Sequence, residues 1–268
     1  MRDILIYTVH KAASMFLHKL TLNITKELGI AFYSPNAVGT VGYGDEIKRR
    51  SWKAFIEDES RSGCFGPIRA GEAEPIFPDD IGSYAVILHL RDPRDALTSA
   101  YFSSTYSHTR SERSFNPSDD LRRQWEEQGV DAFVLERAPK LSQRYAELCA
   151  TLLGRPNVVF VRYEDMVADY HTWLGRYLSA FSQISAEKKA GLGLLRKSKD
   201  PLERMQETFY EKFKDDFLVE EEDVFRHKRQ ITPGDYQRKL SQETVAQLNR
   251  EFGAVLGQLG YGALTTDH

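Results

Sequence analysis

Residues 84–102 read Tyr84-Ala85-Val86-Ile87-Leu88-His89-Leu90-Arg91-Asp92-Pro93-Arg94-Asp95-Ala96-Leu97-Thr98-Ser99-Ala100-Tyr101-Phe102. Tyr84–Leu90 is a nearly continuous apolar run, the pattern of a strand covered on both faces in the middle of a parallel sheet. Asp92 then supplies a helix cap and Pro93 the first helical position, where a missing N–H costs nothing. A buried strand turning directly into a capped helix is half of a strand–helix–strand unit. Working outward, the alternation repeats. Ile4–Thr8 reads as a buried strand and Ser14–Leu28 as a helix with Leu17, Leu20, Ile24 and Leu28 on one face. Ala31–Ser34, Cys64–Ile68 and Val158–Val161 read as further strands. Asn116–Gln128 and Ala132–Leu153 read as helical with a break near Pro139. Ser241–Leu259 reads as one closing helix with Val245, Leu248, Phe252, Val255, Leu256 and Leu259 facing inward. Strands alternating with helices predict an α/β fold, a three-layer α/β/α domain with a mostly parallel central sheet, spanning 1–268 as a single domain.

The chain of 268 residues is 41% hydrophobic and 28% charged, enough to bury a core. Its 36 Lys and Arg against 39 Asp and Glu give a net charge of −3, which excludes a surface built to coat a nucleic acid. Two cysteines, Cys64 and Cys149, exclude a disulfide framework and a cysteine-rich zinc module and fit a reducing compartment. No apolar run reaches the ~20 residues of a membrane span, and Ile4–Val9 is cut off by His10 and Lys11 before it attains the length of a signal h-region. The expected location is cytoplasmic. No His, Cys, Asp or Glu cluster has metal-ligand spacing, so no metal is expected.

In parallel sheets, ligands bind where strands end at their carboxyl side, and the chemistry-bearing residues of this chain follow strands. Thr8-Val9-His10-Lys11-Ala12-Ala13-Ser14-Met15-Phe16 joins the first strand to the first helix. Backbone N–H groups at such a turn point at an anion. Lys11 adds a point charge, Ser14 a hydroxyl, and Ala12 and Ala13 the small side chains that let a phosphate approach. The glycine pattern of a Walker A loop is absent. Arg91 ends the central strand and Ser99 lies two helical turns further on, so the pair can grip a second anionic group. The competing reading is that Arg91 pairs with a carboxylate such as Asp95, and that Arg94 makes a structural pair. A late basic stretch, Arg226-His227-Lys228-Arg229-Gln230-Ile231-Thr232-Pro233-Gly234-Asp235-Tyr236, follows the acidic run Glu220–Asp223 and is either a solvated loop or a loop that closes over an anion.

Taken together, these stretches resemble the sulfotransferases that use 3'-phosphoadenosine 5'-phosphosulfate (PAPS). The first is similar to the family's T-x-P-K-S-G-T-T-W loop and the second to R-D-P-R-D-x-x-x-S-x-Y-F. Arg162-Tyr163-Glu164-Asp165-Met166 is similar to R-Y-E-D-L, and the late stretch to R-K-G-x-x-G-D-W. The four occur in family order over residues 8 to 236. The resemblance implies a P-loop-like nucleotide-binding fold with PAPS as co-substrate and PAP as product. It implies that Lys11 and Ser14 bind the 5'-phosphosulfate together with backbone N–H groups around Ala12, Ala13 and Met15. Phe16 stands where the family has an adenine-stacking tryptophan, and Tyr163 where adenine is contacted. Arg91 and Ser99 would hold the 3'-phosphate, joined by Arg229, Gln230 and Lys228. The departures are His10 for proline, Ala13 for glycine, which narrows the loop's backbone freedom, and Ile231 for the first glycine of the late motif.

Sulfuryl transfer, like phosphoryl transfer, rests on positioning and on stabilising charge. A base acting on the acceptor adds ~10²–10⁴-fold. The candidates are Glu72 first, then Asp45, Glu74, His10 and His108. The acceptor is expected to be a hydroxyl or amine of a small molecule, lipid or glycan. Tyr33, Tyr43, Phe65, Tyr101, Phe102 and Tyr106 serve equally as its pocket or as core. Residues 197–229 read either as solvated amphipathic helices with Met205, Phe209, Phe213 and Phe217 inward, or as a lid. Two other functions stand beside the enzyme: a non-catalytic nucleotide- or glycan-binding module, and an atypical nucleotide-dependent phosphotransferase.

Overall fold

The computed structural model describes residues 3–34, 52–70, 77–107, 118–182, 200–217 and 231–262. The chain forms two compact units, one of Met1–Leu90 with Leu152–Asp216 and one of Arg91–Thr151 with Phe217–His268.

The first unit contains the sheet. Its five strands are β1 (Ile4–Val9), β2 (Phe32–Tyr33), β3 (Cys64–Ala70), β4 (Ala85–Leu90) and β5 (Val158–Arg162), in the spatial order β2-β3-β1-β4-β5. Every neighbouring pair is parallel, the α/β class that the sequence predicts. β1 is central and buried along its whole length, as its unbroken apolar run requires. β3 approaches it so closely at Gly66 that a Cβ there would fall 2.7 Å from the Ile6 carbonyl oxygen, which only glycine avoids. The connection leaving β1 runs to β2 on one side of the sheet, and the chain after β4 runs on to β5 on the other. Their carboxyl ends therefore form the switch point at which open α/β sheets bind ligands.

Helix α1 (Ser14–Leu28) buries Leu17, Leu20, Ile24 and Leu28, as their spacing requires, and ends where Gly29 turns left-handed. After α2 (Trp52–Ile56), the unit adds α5 (Tyr163–Ala168), α6 (Tyr170–Ser179) and α7 (Pro201–Phe213). The carboxylate of Asp169 caps α6 by accepting the Thr172 N–H, and that of Asp200 caps α7 by accepting the Leu202 N–H. α7 turns Met205, Phe209 and Phe213 inward, as the amphipathic reading has it, whereas Phe217 is only half-buried.

The second unit is helical among its described residues: α3 (Pro93–Phe102), α4 (Asp119–Leu152), α8 (Asp235–Lys239), α9 (Gln242–Glu251) and α10 (Gly253–Leu259). Two boundaries differ from the sequence reading. α4 is interrupted at Gly129 (φ 79°, ψ 167°), while Pro139 lies inside the helix. That backbone conformation is open to glycine, and the buried side chains of Phe133, Val134, Ala138 and Tyr145 hold the helix through the proline. The closing helix is two, divided at Phe252 (φ −94°, ψ 3°). Gly253 and Gly257 weaken its second half, and at its start Thr244 rather than Val245 is buried.

Candidate functional site

In the first unit the turn between β1 and α1 is held in an unusual backbone. Lys11 (φ 66°) and Ala13 (φ 56°) are both left-handed, the two non-glycine residues with positive φ among those described. Each such residue costs roughly 1–2 kcal/mol, and strain of this kind gathers where backbone groups are aimed at a ligand. Ala13 thus takes a conformation that glycine would adopt freely. Left-handed residues on either side of Ala12 are a backbone form found in anion cradles, although the Ala12 N–H itself donates to the Val9 carbonyl oxygen at 3.4 Å. No acidic residue occupies the first turn of α1 and no side chain caps it, so the positive end of the helix dipole is unopposed there. Ala12 is fully buried beneath the turn, Lys11 and Ser14 are half-buried, and His10 is exposed. Met15 is 55% exposed.

Phe16, two residues into α1, meets Tyr170 and Phe213 edge-on, with ring centroids 5.9 and 5.8 Å apart. α7, which supplies Phe213, is tied to α1 by Lys212 donating to Asn23 at 2.7 Å, and the turn after it by Lys19–Asp216 at 3.2 Å. Phe16 is therefore a ring braced by two aromatic neighbours. Tyr163 opens α5 directly after β5 and is buried, and Arg162 beside it forks Asp165 at 3.1 and 2.7 Å.

One polar cluster of this unit is not anticipated from the sequence. His89 on β4 is fully buried next to Thr8 on β1 and edge-on to Trp173 at 5.6 Å. Neither imidazole nitrogen, nor Thr8 Oγ1, nor Trp173 Nε1, has a hydrogen-bond partner. The signal lay in the sequence as the single polar residue of an apolar strand. Burial drives the His89 pKa down to about 3, with Asp165 pulling weakly the other way. The fold therefore contains neutral His89, whereas the unfolded chain titrates near 6.5. This contribution to stability is complete above pH 6.5 and is lost as pH falls toward 3, by about 2 kcal/mol at pH 5. His89→Leu should accordingly lose about 2 kcal/mol less than the parent between pH 7 and pH 5 in urea unfolding. Equal losses in both proteins would show that His89 is not held neutral.

In the second unit Arg91 directly follows β4 in the chain and is 4% exposed. Tyr145 O–H donates to its carbonyl at 2.7 Å, and its guanidinium lies 3.8 Å from the Asp95 carboxylate. The competing reading, that Arg91 pairs with Asp95, is thus present in the fold, at a distance longer than a hydrogen bond. Asp95 sits in α3 and accepts the backbone N–H groups of Gly234 at 2.7 Å and Tyr236 at 2.9 Å. Burial raises its pKa, while Arg91 and the two N–H groups act in the opposite direction. Asp92 caps α3 by accepting the Arg94 N–H, and Arg94 forks the same carboxylate at 2.9 and 2.6 Å. Arg94 also donates to Asn249 and covers the Tyr236 ring at 4.3 Å. It is structural. Ser99 is half-buried two turns along α3.

The unit therefore brings together Arg91, Asp95 and the Gly234-Asp235-Tyr236 end of the late motif. Lys228, Arg229 and Gln230 lie outside the described residues, as do Asp45, Glu72, Glu74 and His108. Of the base candidates only His10 is described. Tyr33, Phe65 and Tyr101 belong to the core, Phe102 and Tyr106 are half-buried, and Tyr43 is outside the described residues. Among the described residues no group of three or more His, Cys, Asp or Glu is placed to hold a metal ion, and no helix is long and apolar enough to cross a membrane.

No curated protein sequence matches the chain. Among solved structures it is similar to a mouse sulfotransferase complexed with PAP, at 15% identity and a TM-score of 0.51, covering 95% of this chain and 84% of that one. It also aligns with a retinol dehydratase in complex with retinol and PAP, at 13% identity and a TM-score of 0.46, covering 100% of this chain and 83% of that one. At such identities the first likeness speaks for the fold alone. The family model described as the sulfotransferase domain matches residues 82–260, a span that takes in β4, Arg91, α3, Arg162–Met166 and Gly234–Tyr236. With most of its length so matched, the chain belongs to the sulfotransferase family, enzymes that move a sulfuryl group from PAPS to an acceptor.

Proposed function

We propose that the chain transfers the sulfuryl group of PAPS to a hydroxyl or amine of a small-molecule, lipid or glycan acceptor, and releases PAP. The observation that carries this reading is the pair of elements suited to anions that follow β1 and β4: a strained, acid-free cradle bearing Lys11 and Ser14, and buried Arg91 followed by a capped helix bearing Ser99. Each element by itself is suited to an anionic group, and the donor of this family carries two. The donor supplies a sulfuryl group on a phosphate oxygen, and the rest is done by the chain. The acceptor oxygen or nitrogen bonds to sulfur as the bond to the phosphate oxygen breaks, and the acceptor's proton passes to the base. Lys11 and the N–H groups around Ala12, Ala13 and Met15 take up the negative charge left on the phosphate, an electrostatic role built into the backbone before substrate arrives. Ser14 donates a hydroxyl to the same group. Arg91 and Ser99, with Lys228, Arg229 and Gln230, hold the 3'-phosphate, while Phe16 and Tyr163 contact the adenine.

Glu72 is the first choice for the base. It lies two residues beyond β3, which neighbours β1 in the sheet, so the chain leaves the sheet there beside the Lys11 turn. Asp45, Glu74, His10 and His108 are the alternatives. Neither unit is a continuous stretch of chain, which supports reading 1–268 as one sulfotransferase-like domain. Two free, buried cysteines support a cytoplasmic location. PAPS consumption measured against phenols, sugars, lipids and small alcohols tests the function. Acceptor-dependent PAP release is the expected result. PAP binding without turnover on any acceptor class would instead identify a non-catalytic binding module.

A further inference from the structure

We propose that Asp95 is a positioning residue for the 3'-phosphate end of the donor, one carboxylate that sets both Arg91 and the end of the late basic stretch. The inference rests on the donor reading above and adds to it a residue that touches no part of the nucleotide. Asp95 is 1% exposed. Its Oδ2 accepts the Gly234 N–H at 2.7 Å and lies 3.8 Å from Arg91 Nη2, and its Oδ1 accepts the Tyr236 N–H at 2.9 Å. Two oxygens thus join residues that lie 139 and 141 positions away in sequence to α3, the helix that carries Ser99 and starts just after Arg91.

The two donors are backbone groups, so Asp95 fixes main chain rather than a rotatable side chain. Lys228, Arg229 and Gln230 stand four to six residues before Gly234, and the anchor holds the carboxyl end of the stretch to which they belong. On the other side, the ionic contact orients the Arg91 guanidinium along α3, because Asp95 is one turn on from Arg91. A carboxylate suits both tasks at once: it has lone pairs for two N–H donors and a charge to direct the cation. A neutral side chain of the same shape does not. In Asp95→Asn the amide nitrogen would face one of the two backbone donors, and Arg91 would lose its charged neighbour. The Arg94–Tyr236 contact, which does not pass through Asp95, would remain to hold α8.

The test compares two probes that differ only by the phosphate in question, PAP and adenosine 5'-phosphate, by titration calorimetry. Asp95→Asn should weaken PAP about tenfold, the size of one weakened charge-assisted hydrogen bond, and leave adenosine 5'-phosphate within about twofold. A residue serving stability alone would shift both ligands equally or neither. Gly234→Ala provides a second route to the same readout. It places a side chain on a backbone at φ +83°, where no neighbouring atom crowds it, and so strains the same link with Asp95 intact. It should also narrow the gap between the two ligands, and it decides the matter if Asp95→Asn does not fold. A parent that prefers PAP, with variants that keep the whole preference, would overturn the role of Asp95. A parent that does not distinguish the two probes would overturn the donor reading itself, and this inference with it.

Discussion

Lys11→Ala should slow sulfuryl transfer by on the order of 10²–10³-fold while the KM for PAPS changes far less. The reason for the split lies in when the charge appears. Before reaction, the bridging oxygen between phosphate and sulfur bears little charge. As that bond breaks, charge collects on the phosphate, and a lysine beside it stabilises the transition state more than the ground state. Removing one such preorganised donor typically has an effect of this size. The substitution is also unusually clean in this loop. Lys11 has φ 66°, and alanine at the same position keeps a Cβ. The backbone is no more strained than before, and the N–H groups of the cradle stay where they are. Glycine there would relax the turn and confound the comparison. Turnover at saturating PAPS, together with the KM for PAPS, separates the two effects. A variant that turns over as fast as the parent would mean that this loop does not hold the leaving group.

What the sequence made legible follows from locality. The strand–turn–helix units at Ile4–Leu28 and Ala85–Phe102 are defined by residues close together in the chain. Apolar runs, Asp92 with Pro93, and the spacing of Leu17, Leu20, Ile24 and Leu28 were sufficient to place them. The left-handed Ala13 was not legible, because alanine favours that conformation only when the surroundings impose it. Nor was the break in α4: Pro139 is the stronger helix breaker by propensity, yet the core around Phe133 and Tyr145 overrides it, and Gly129 yields instead. Asp95 looked like a local partner for Arg91. Its hydrogen bonds to Gly234 and Tyr236 span more than half the chain and leave no trace in spacing. His89 was visible as a residue type but not as a burial site, since an isolated polar residue in an apolar strand can equally mark an exposed edge. The net charge of −3 is reconciled in the same way. Between Arg226 and Lys239 there are five Lys or Arg and one acid, Asp235, so positive charge is concentrated in one stretch and offset by acids elsewhere. That suits a small nucleotide and not a long polyanion.

Arg91→Lys is expected to raise the KM for PAPS on the order of a hundredfold, with kcat within a few-fold of the parent. The exchange keeps the positive charge, so Asp95 retains a cationic neighbour and the severe cost of stranding a buried carboxylate is avoided. What it removes is the planar fork. Arginine presents paired N–H groups that match two oxygens of a phosphate, whereas an ammonium offers a point charge on a flexible stem. At a site only 4% exposed, water cannot readily substitute for the missing donor. The lost interaction is then a charge-assisted hydrogen bond of about 1.5–3 kcal/mol, or roughly 10- to 150-fold in affinity. Because the 3'-phosphate is remote from the transferring sulfur, its grip is the same in ground and transition states, and the loss should fall on KM rather than kcat. This is the opposite signature to that of Lys11, so the two variants test different ends of one donor. Affinity for adenosine 5'-phosphate, which has no 3'-phosphate for the fork to hold, should be nearly unchanged. A fall in kcat at constant KM, or equal weakening of PAP and adenosine 5'-phosphate, would place Arg91 at the reacting end or in the scaffold instead.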